Sequence, residues 1–272
     1  MTAPFGALAP SPFEEAIRRA ASGLSNNAVG KRAASLLLRA AGGKSGRAFD
    51  VPVFGTERAR LHPYDNISEK RVFITPQFWE AAERGALAKF IRGGSGDFRF
   101  LDVGANAGLY TLFARSEARA SGRPFHAICI EPAPEMLSRL RFNLEASGAA
   151  REARVVACAV GARQGAATFS VNERNRGESR IAPRGGLEVE VRTLAAIIDE
   201  AEAPRIDAMK IDIEGGEAAA LEGLFAGAGG RFRPAFIIME MSHSDTRASA
   251  MLAREDYREI MRAGRNGVFA RA

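Results

Sequence analysis

The sequence is poor in cysteine and in metal-ligand spacings. Its 272 residues include only two cysteines, Cys129 and Cys158, and both lie inside apolar runs typical of strands. No CxxC pair and no cluster of histidine with cysteine accompanies them, which argues against a structural zinc site and against a disulfide-stapled fold. We therefore expect a reducing compartment and no bound metal.

Long apolar segments are also lacking. No stretch approaches the ~20 apolar residues that a membrane-spanning helix needs. The first 23 residues do not show a basic leader followed by a sustained apolar run, which is the pattern of a secretory signal. These absences predict a soluble, cytoplasmic protein without a transmembrane segment.

Lysine is scarce, and the positive charge is concentrated at the two ends of the chain. Only five of the 38 basic residues are lysine, and the formal net charge is +6. Residues 1–48 carry seven basic side chains against two acidic ones, and residues 247–272 carry six against three, so the segment between them is slightly negative. Phosphate contacts supply most of the affinity of nucleic-acid-binding proteins, and a near-neutral body therefore argues against a nucleic-acid partner.

Two short amphipathic helical patterns occupy residues 11–41, and the glycine-rich segment 42–46 follows them. We divide the chain into a basic helical arm or cap, residues 1–48, and a main domain, residues 49–272. A cap that packs on the core is favoured over an element that docks a partner or a membrane surface, because neither pattern has a clean basic face.

From residue 98 onward, strand and helix patterns alternate. This alternation predicts an α/β fold with a mostly parallel sheet and helices on both faces. The predicted strands are 98–103, 125–130, 153–158, 207–211 and 235–240, and the predicted helices are 108–120, 134–147, 215–225 and 247–263.

A hairpin is predicted between the third and fourth of these strands. Segments 166–171 and 187–191 form its arms, and the polar loop 172–186 connects them. Long loops in compact domains often carry function, so this loop is either a lid that contacts substrate or a solvated hairpin tip.

A glycine-bearing turn, residues 102–108, follows the first predicted strand and opens a helix. Such a turn lets the backbone approach a ligand, and the helix start offers unpaired N–H groups. A dinucleotide fingerprint would place glycines where Asn106 and Leu109 stand, which disfavours NAD and FAD. The spacing favours a small, partly anionic ligand without a bulky pyrophosphate.

Carboxylates follow two further strands. Glu131 comes directly after the second strand, where a carboxylate accepts two hydroxyl hydrogen bonds and suits a ribose. Asp212 and Glu214 leave the end of the fourth strand, at the sheet edge where open α/β folds bind their ligands. Glu217 instead suits a helix N-terminus, because its charge is favourable at the positive end of the helix dipole.

Four segments, LDVGANAGLYT, IEP, MKIDIEGGEAAALEGL and FIIMEMSH, resemble in this order the successive motifs of FkbM-type methyltransferases. The resemblance covers residues 64–263. It implies the Rossmann-like sheet of class I methyltransferases, and S-adenosylmethionine as cofactor. By this resemblance the turn binds the methionine end and Glu131 binds the ribose hydroxyls. The predicted cofactor-binding residues are Asp102, Gly104, Ala105, Asn106, Gly108, Glu131, Pro132 and Asp212.

The chain departs from the family pattern in three places. Leu194 is followed by Ala195, where the family shows an aspartate. The chain ends at about the point where a terminal antiparallel strand pair begins, so residues 266–272 predict one strand and an incomplete pair. Residues 1–48 lie outside the resemblance altogether.

The resemblance implies O-methylation of a hydroxyl on a sugar, a glycolipid or a small secondary metabolite. A hydroxyl nucleophile benefits from a general base. The candidate bases at the carboxyl edge of the sheet are Asp212, Glu214, Glu240 and His243. The three carboxylates among them are also suitable ligands for Mg²⁺, although nothing in their spacing requires a metal.

Two alternatives stay open at this point. One is a catalytically degenerate module that has lost turnover with its last strand, binds the cofactor and docks a partner through its N-terminal arm. The other is an RNA methyltransferase guided by that arm. An NPPY-like motif, typical of amino-group methylation of bases, is absent after the fourth strand, where the residues are DIEG.

Overall fold

The structure is a computed structural model, and it describes residues 3–170, 180–181, 186–226, 232–241 and 246–271. Its helices are α1 (Pro12–Ser22), α2 (Ala28–Ala40), α3 (Ile67–Ile74), α4 (Ala81–Gly93), α5 (Leu109–Ala120), α6 (Pro134–Ala146), α7 (Leu194–Glu200), α8 (Glu217–Phe225) and α9 (Arg247–Arg254). Its strands are β1 (Phe49–Val53), β2 (Glu57–Leu61), β3 (Phe98–Val103), β4 (Phe125–Ile130), β5 (Ala153–Val156), β6 (Ala159–Val160), β7 (Gly165–Ser170), β8 (Arg180–Ile181), β9 (Leu187–Arg192), β10 (Ala208–Ile211), β11 (Phe236–Glu240), β12 (Tyr257–Ala263) and β13 (Asn266–Arg271).

The central sheet has seven strands in the order β5-β4-β3-β10-β11-β13-β12. Strands β3, β4, β5, β10 and β11 are parallel, which confirms the predicted α/β fold. The chain moves outward from β3 to β5 and then returns to β10 on the other side of β3. The carboxyl ends of β3 and β10 therefore meet at a switch point of the sheet, the position where open α/β folds bind their ligands.

Helices cover both faces of this sheet. Phe100 of β3 packs in the same core cluster as Leu112 of α5, whereas the next residue, Leu101, packs in the cluster that contains Leu221 of α8. All four side chains are fully buried. Successive strand residues point to opposite faces, so an uninterrupted apolar strand requires this double cover.

The two predicted N-terminal helices form and pack on the body. The Nε atom of Arg18 donates to the carbonyl of Phe73 at 2.9 Å, and Nε2 of Gln77 donates to the carbonyl of Ala21 at 2.9 Å. Ala21 and Leu38 are buried in the same core cluster as Phe73. The helices α1 and α2 thus lie against the segment around α3.

Residues 49–97 contain a hairpin and two helices that the sequence patterns left undefined. In the hairpin, the buried carboxylate of Asp50 accepts two hydrogen bonds from the guanidinium of Arg60, at 2.7 and 2.9 Å. It also accepts backbone N–H bonds from Gly6 and Leu8. The ion pair joins β1 to β2, and the two backbone N–H bonds hold residues 6–8 against β1.

The predicted hairpin after β5 is confirmed. Strand β7 pairs antiparallel with β9, with Gly165 opposite Val191, and β6 and β8 complete a small four-stranded sheet. The loop predicted at residues 172–186 falls for most of its length outside the described residues, so its role as a lid or a hairpin tip stays a prediction.

The prediction for the C-terminus was wrong. Residues 247–263 do not form one helix, because α9 ends at Arg254 and Asp256 adopts a left-handed backbone with φ +64°. The following residues form β12, which turns at Gly264, also left-handed with φ +58°, into β13. Strand β13 lies between β11 and β12 and is antiparallel to both. Both strands of the terminal pair are therefore present, because the last seven residues assigned to the helix form the first of them.

No helix within the described ranges is long and apolar enough to cross a membrane.

The packing of β13 leads to a stability prediction. Phe269 is 3% exposed within the core shared with β10 and β11, so Phe269→Ala is expected to lower the free energy of unfolding by about 3–5 kcal/mol. Ile260 on β12 is 56% exposed, and Ile260→Ala is expected to change it by less than about 0.5 kcal/mol. Urea denaturation measures both variants. Equal effects of the two substitutions would contradict the position of β13 in the sheet.

Candidate functional site

A cavity of about 1050 Å³ opens at the carboxyl ends of β3, β4, β10 and β11. Small-molecule sites commonly have volumes of about 300–1,000 Å³, so this cavity is large enough for a cofactor together with part of a second molecule. The residues predicted for the site that line it are Asp102, Gly104, Ala105, Asn106, Glu131, Pro132, Asp212, Glu214 and Glu240. His243 lies outside the described residues. Gly108 is described but does not line the cavity.

The glycines of the turn after β3 are required by neighbouring chain segments. Gly104 has φ +78°, and a Cβ placed on it would lie 2.1 Å from the carbonyl oxygen of Asp212. Gly108 has φ +81° and precedes α5, where a Cβ would lie 2.6 Å from Cδ1 of Leu140. The turn therefore needs glycine because β10 and α6 pack against it. This differs from the sequence interpretation, which attributed the glycines to the approach of a ligand.

Glu131 is a buried carboxylate of the cavity that two backbone N–H groups hold in place. Its Oε2 accepts the N–H of Asn106 and its Oε1 accepts the N–H of Ala133, each at 2.9 Å. The residue is 6% exposed. Burial raises the pKa of Glu131 to about 7, although both backbone hydrogen bonds favour the ionised form. The carboxylate is thus held in one orientation and is easily protonated near neutral pH.

Asp102 is tied to the first turn of α5. Its Oδ2 accepts from the backbone N–H of Thr111 at 3.1 Å and from the hydroxyl of Thr111 at 2.6 Å. Burial raises the pKa of Asp102 to about 6, against the effect of these two hydrogen bonds. One oxygen of Asp102 therefore joins β3 to α5, a structural contribution that the sequence did not indicate.

Three carboxylates meet at the ends of β10 and β11. Oxygens of Asp212, Glu214 and Glu240 lie within 4.8 Å of one another. Nζ of Lys210 is 2.8 Å from Oδ2 of Asp212, and a guanidinium nitrogen of Arg265 is 2.8 Å from Oε1 of Glu240. Protein cations therefore compensate part of this negative charge.

Asp212 and Glu240, two of these three carboxylates, differ in proton affinity. Burial alone would raise the pKa of Asp212. The Lys210 ammonium, a hydrogen bond with Glu240 and the charge of Arg265 together outweigh burial and hold this pKa below its ordinary value. Burial and then the charges of Asp212 and Glu214 raise the pKa of Glu240 to about 7, although Arg265 opposes this. Near neutral pH, Asp212 stays ionised and Glu240 exchanges a proton.

Several residues of the cavity wall were missed by the sequence analysis. Glu80 precedes α4 with φ +40°, and its Oε2 accepts the hydroxyl of Tyr110 at 2.5 Å. Nδ2 of Asn266, from β13, donates to Oε1 of Glu83 at 2.8 Å. No sequence pattern marks Glu80 or Asn266, since each reaches the cavity only through the tertiary fold. Lys210 had a signal, because it is a lone charge inside the otherwise apolar strand β10.

The family model described as the methyltransferase FkbM domain matches residues 102–264, which is more than half of the chain. The chain belongs to the FkbM methyltransferase family. Family membership implies S-adenosylmethionine as the methyl donor, and the glycine turn, Glu131 and the β10 motif all lie within the matched range. The Glu80 segment, α2 and α3 lie outside it.

Similar solved structures are distant from this FkbM-family chain. A methyltransferase FkbM from Methylobacillus flagellatus KT has 18% identity and a TM-score of 0.48, over 76% of this chain and 55% of that one. The human methyltransferase 10 domain containing protein has 14% identity and a TM-score of 0.45, over 94% of each chain. M. capricolum TrmK, in complex with the cofactor product S-adenosyl-homocysteine, has 10% identity and a TM-score of 0.40, over 69% of this chain and 66% of that one. The chain thus spans about 55% of the Methylobacillus protein. No curated protein matches it.

The contact between Asp102 and Thr111 leads to a pH-dependent stability prediction. Thr111→Val removes a hydroxyl donor from a buried carboxylate and is expected to lower the free energy of unfolding by about 1–3 kcal/mol at pH 8. The loss is expected to be smaller at pH 5, because the pKa of Asp102 is raised to about 6 and the protonated acid depends less on donors. Urea denaturation at both pH values measures the difference. Thr111→Ser keeps the hydroxyl, so its loss in free energy of unfolding should not grow between pH 5 and pH 8. A loss that grows with pH as much as in Thr111→Val would contradict this account.

Proposed function

We propose that this chain transfers a methyl group from S-adenosylmethionine to a hydroxyl oxygen of a sugar, a glycolipid or a small secondary metabolite. The observation that carries the proposal is Glu240. Its carboxylate stands beside Asp212 at the carboxyl edge of the sheet, within the same cavity as the glycine turn, and its pKa is raised to about 7. A general base works best when its pKa is near the operating pH.

The residues at the turn fit the cofactor. A carboxylate has about four acceptor positions, and Glu131 uses two of them for backbone N–H groups. The remaining positions suit the two hydroxyl donors of a ribose. The turn lines the cavity with Gly104, Ala105 and Asn106. Two further predicted residues, Pro132 and Asp212, also line it. When bound, S-adenosylmethionine supplies the methyl group and a sulfonium leaving group.

The chain's own contribution to the chemistry is alignment and proton removal. Glu240 accepts the proton of the acceptor hydroxyl at a carboxylate oxygen, while Arg265 holds Oε1 of that carboxylate. Asp212, kept ionised by Lys210, maintains the high proton affinity of Glu240. Such a base is worth ~10²–10⁴-fold in rate where the geometry allows.

The main argument for a catalytically degenerate module no longer applies. It rested on a missing terminal strand, and β12 and β13 both form. Asn266, at the start of β13, also lines the cavity. The complete strand pair supports turnover, and the DIEG segment after β10 does not favour amino-group methylation of bases.

The cofactor assignment predicts a loss of affinity in Glu131→Gln. At pH 8, S-adenosylhomocysteine is expected to bind this variant about 10–150-fold more weakly, since hydrogen bonds to a charged group contribute about 1.5–3 kcal/mol. Isothermal titration calorimetry measures the affinity. Glu145→Gln, an exposed position on α6, serves as the matched control. Unchanged affinity in the Glu131 variant would contradict the ribose assignment.

The base assignment predicts a specific kinetic defect in Glu240→Gln. Methyl transfer is expected to slow by ~10²–10⁴-fold with little change in S-adenosylhomocysteine affinity. In the unsubstituted protein saturated with S-adenosylmethionine, the rate is expected to rise with pH through about 7, because the base acts in its ionised form above its pKa. The variant should lose this rise, whereas Glu222→Gln, exposed on α8, should retain it. A wild-type pH profile in Glu240→Gln would exclude Glu240 as the base.

The acceptor class is tested by incubating the purified protein with radiolabelled methyl donor and fractionated cell glycans and lipids. Label in a glycan or lipid fraction, with mass spectrometry locating the methyl group on oxygen, is the expected result. Label on nitrogen, or label in RNA alone, would contradict the proposed O-methylation.

A further inference from the structure

The outer wall of the cavity is formed by α2 and α3, which lie outside the family-matched range. Asn26 and Lys31 line it from the start of α2, and Ser68 and Arg71 line it from α3. Ile67 lines it too, and positions 67 and 71 are neighbours on one face of a helix. One face of α3 therefore looks into the cavity.

Helix α3 is anchored directly to the glycine turn after β3, residues 102–108. Asn66 caps α3 by accepting the N–H of Glu69, and its Nδ2 donates to Oδ1 of Asn106 at 2.8 Å. Arg71 lies five residues further on, about 7.5 Å along the helix axis. This anchor sets the distance between the turn and the outer wall.

The cations of the cavity fall into two groups. Among the described residues, four basic side chains line it: Lys31, Arg71, Lys210 and Arg265. Lys210 is paired with Asp212, and Arg265 is paired with Glu240. Lys31 and Arg71 have no acidic partner within the described part of the chain. Their charge is available to a ligand.

The acidic side chains of the cavity come from elements other than α2 and α3. They come from the turn, the strand ends and the start of α4, and they are Glu80, Glu83, Asp102, Glu131, Asp212, Glu214 and Glu240. These carboxylates repel an anionic group on an acceptor, whereas Lys31 and Arg71 on the α2–α3 wall attract it. Such a group would direct the rest of the acceptor towards Glu240.

We propose that Lys31 and Arg71 bind a phosphate group of the methyl acceptor. Arginine offers a planar fork of donors that suits phosphate oxygens, and lysine offers a compact positive charge. The hydroxyl of Ser68 and the amide of Asn26 are further donors on the same wall. The inference rests on the proposed function, because it takes the cofactor to occupy the turn and the acceptor to occupy the outer wall.

The test is a titration of the full chain, saturated with S-adenosylhomocysteine, with inorganic phosphate at constant ionic strength. Lys31→Gln/Arg71→Gln is expected to bind phosphate at least tenfold more weakly than the unsubstituted protein. The matched control is Arg32→Gln/Lys70→Gln, which removes the same charge from the same two helices at positions that do not line the cavity. The control is expected to stay within about twofold. Equal losses in both variants would show a nonspecific charge effect and overturn the proposal.

A second measurement separates the acceptor from the cofactor. S-Adenosylhomocysteine carries a carboxylate, whereas 5′-methylthioadenosine does not, and both are expected to bind Lys31→Gln/Arg71→Gln as they bind the unsubstituted protein. Weaker binding of the first compound alone would assign the two cations to the cofactor carboxylate and overturn the proposal. Failure of the unsubstituted protein to bind S-adenosylhomocysteine would instead contradict the proposed function.

A third arm identifies the source of the phosphate. Glucose 1-phosphate tests a soluble sugar phosphate, and phosphatidylcholine vesicles with phosphatidic acid test a lipid-borne one. Binding of either that depends on Lys31 and Arg71 supports the proposal. The proposal is overturned if both ligands bind and the Lys31→Gln/Arg71→Gln substitution weakens neither interaction.

Discussion

The electrostatics of the site depend on one buried ammonium group, that of Lys210. Lys210 lies in β10 and is 2% exposed, and burial alone would lower its pKa. The carboxylates of Asp212 and Glu80 reverse this effect and raise its pKa, so the ammonium stays charged. Lys210 also lies 5.0 Å from the ring centroid of Tyr110, which bonds to Glu80. Without this cation, the buried carboxylate of Asp102 and the partly buried carboxylates of Glu80 and Asp212 would lose a compensating charge.

This arrangement separates two carboxylates by their proton affinity. Asp212 is ionised because it contacts Lys210, and its charge helps to keep the pKa of Glu240 near 7. Burial is the largest cause of the raised pKa in both Glu131 and Glu240. In Glu131 two backbone N–H groups oppose burial, whereas in Glu240 the neighbouring carboxylates add to its effect. The cavity thus contains two carboxylates, Glu131 and Glu240, that both titrate near neutral pH. The apolar sheet around them supplies the low dielectric that makes these shifts possible.

The repeating strand–turn–helix units were predictable from the sequence because apolar runs such as 98–103 end at glycines that break the pattern. The positions of Asp102, Glu131 and Asp212 in the site were also predictable, because each lies at the carboxyl end of a predicted strand and the carboxyl ends of parallel strands meet at one edge of the sheet. The rest was not predictable from local patterns. Glu80 depends on a left-handed backbone, Asn66 on a contact 40 residues away, and β12 on pairing with a strand that follows it. In each case, tertiary contacts determine the outcome.

The central claim is that the cavity at the carboxyl edge binds S-adenosylmethionine through ionised Glu131. Hydroxyl donors favour the ionised carboxylate, so binding is expected to lower the pKa of Glu131 from about 7 and to release a proton. Calorimetric titration of the unsubstituted protein with S-adenosylhomocysteine at pH 6.5, in buffers of different ionisation enthalpy, measures this release. The account predicts one-to-one binding with a net release of protons that disappears by pH 9. Absence of binding, or binding without proton release at pH 6.5, would contradict it.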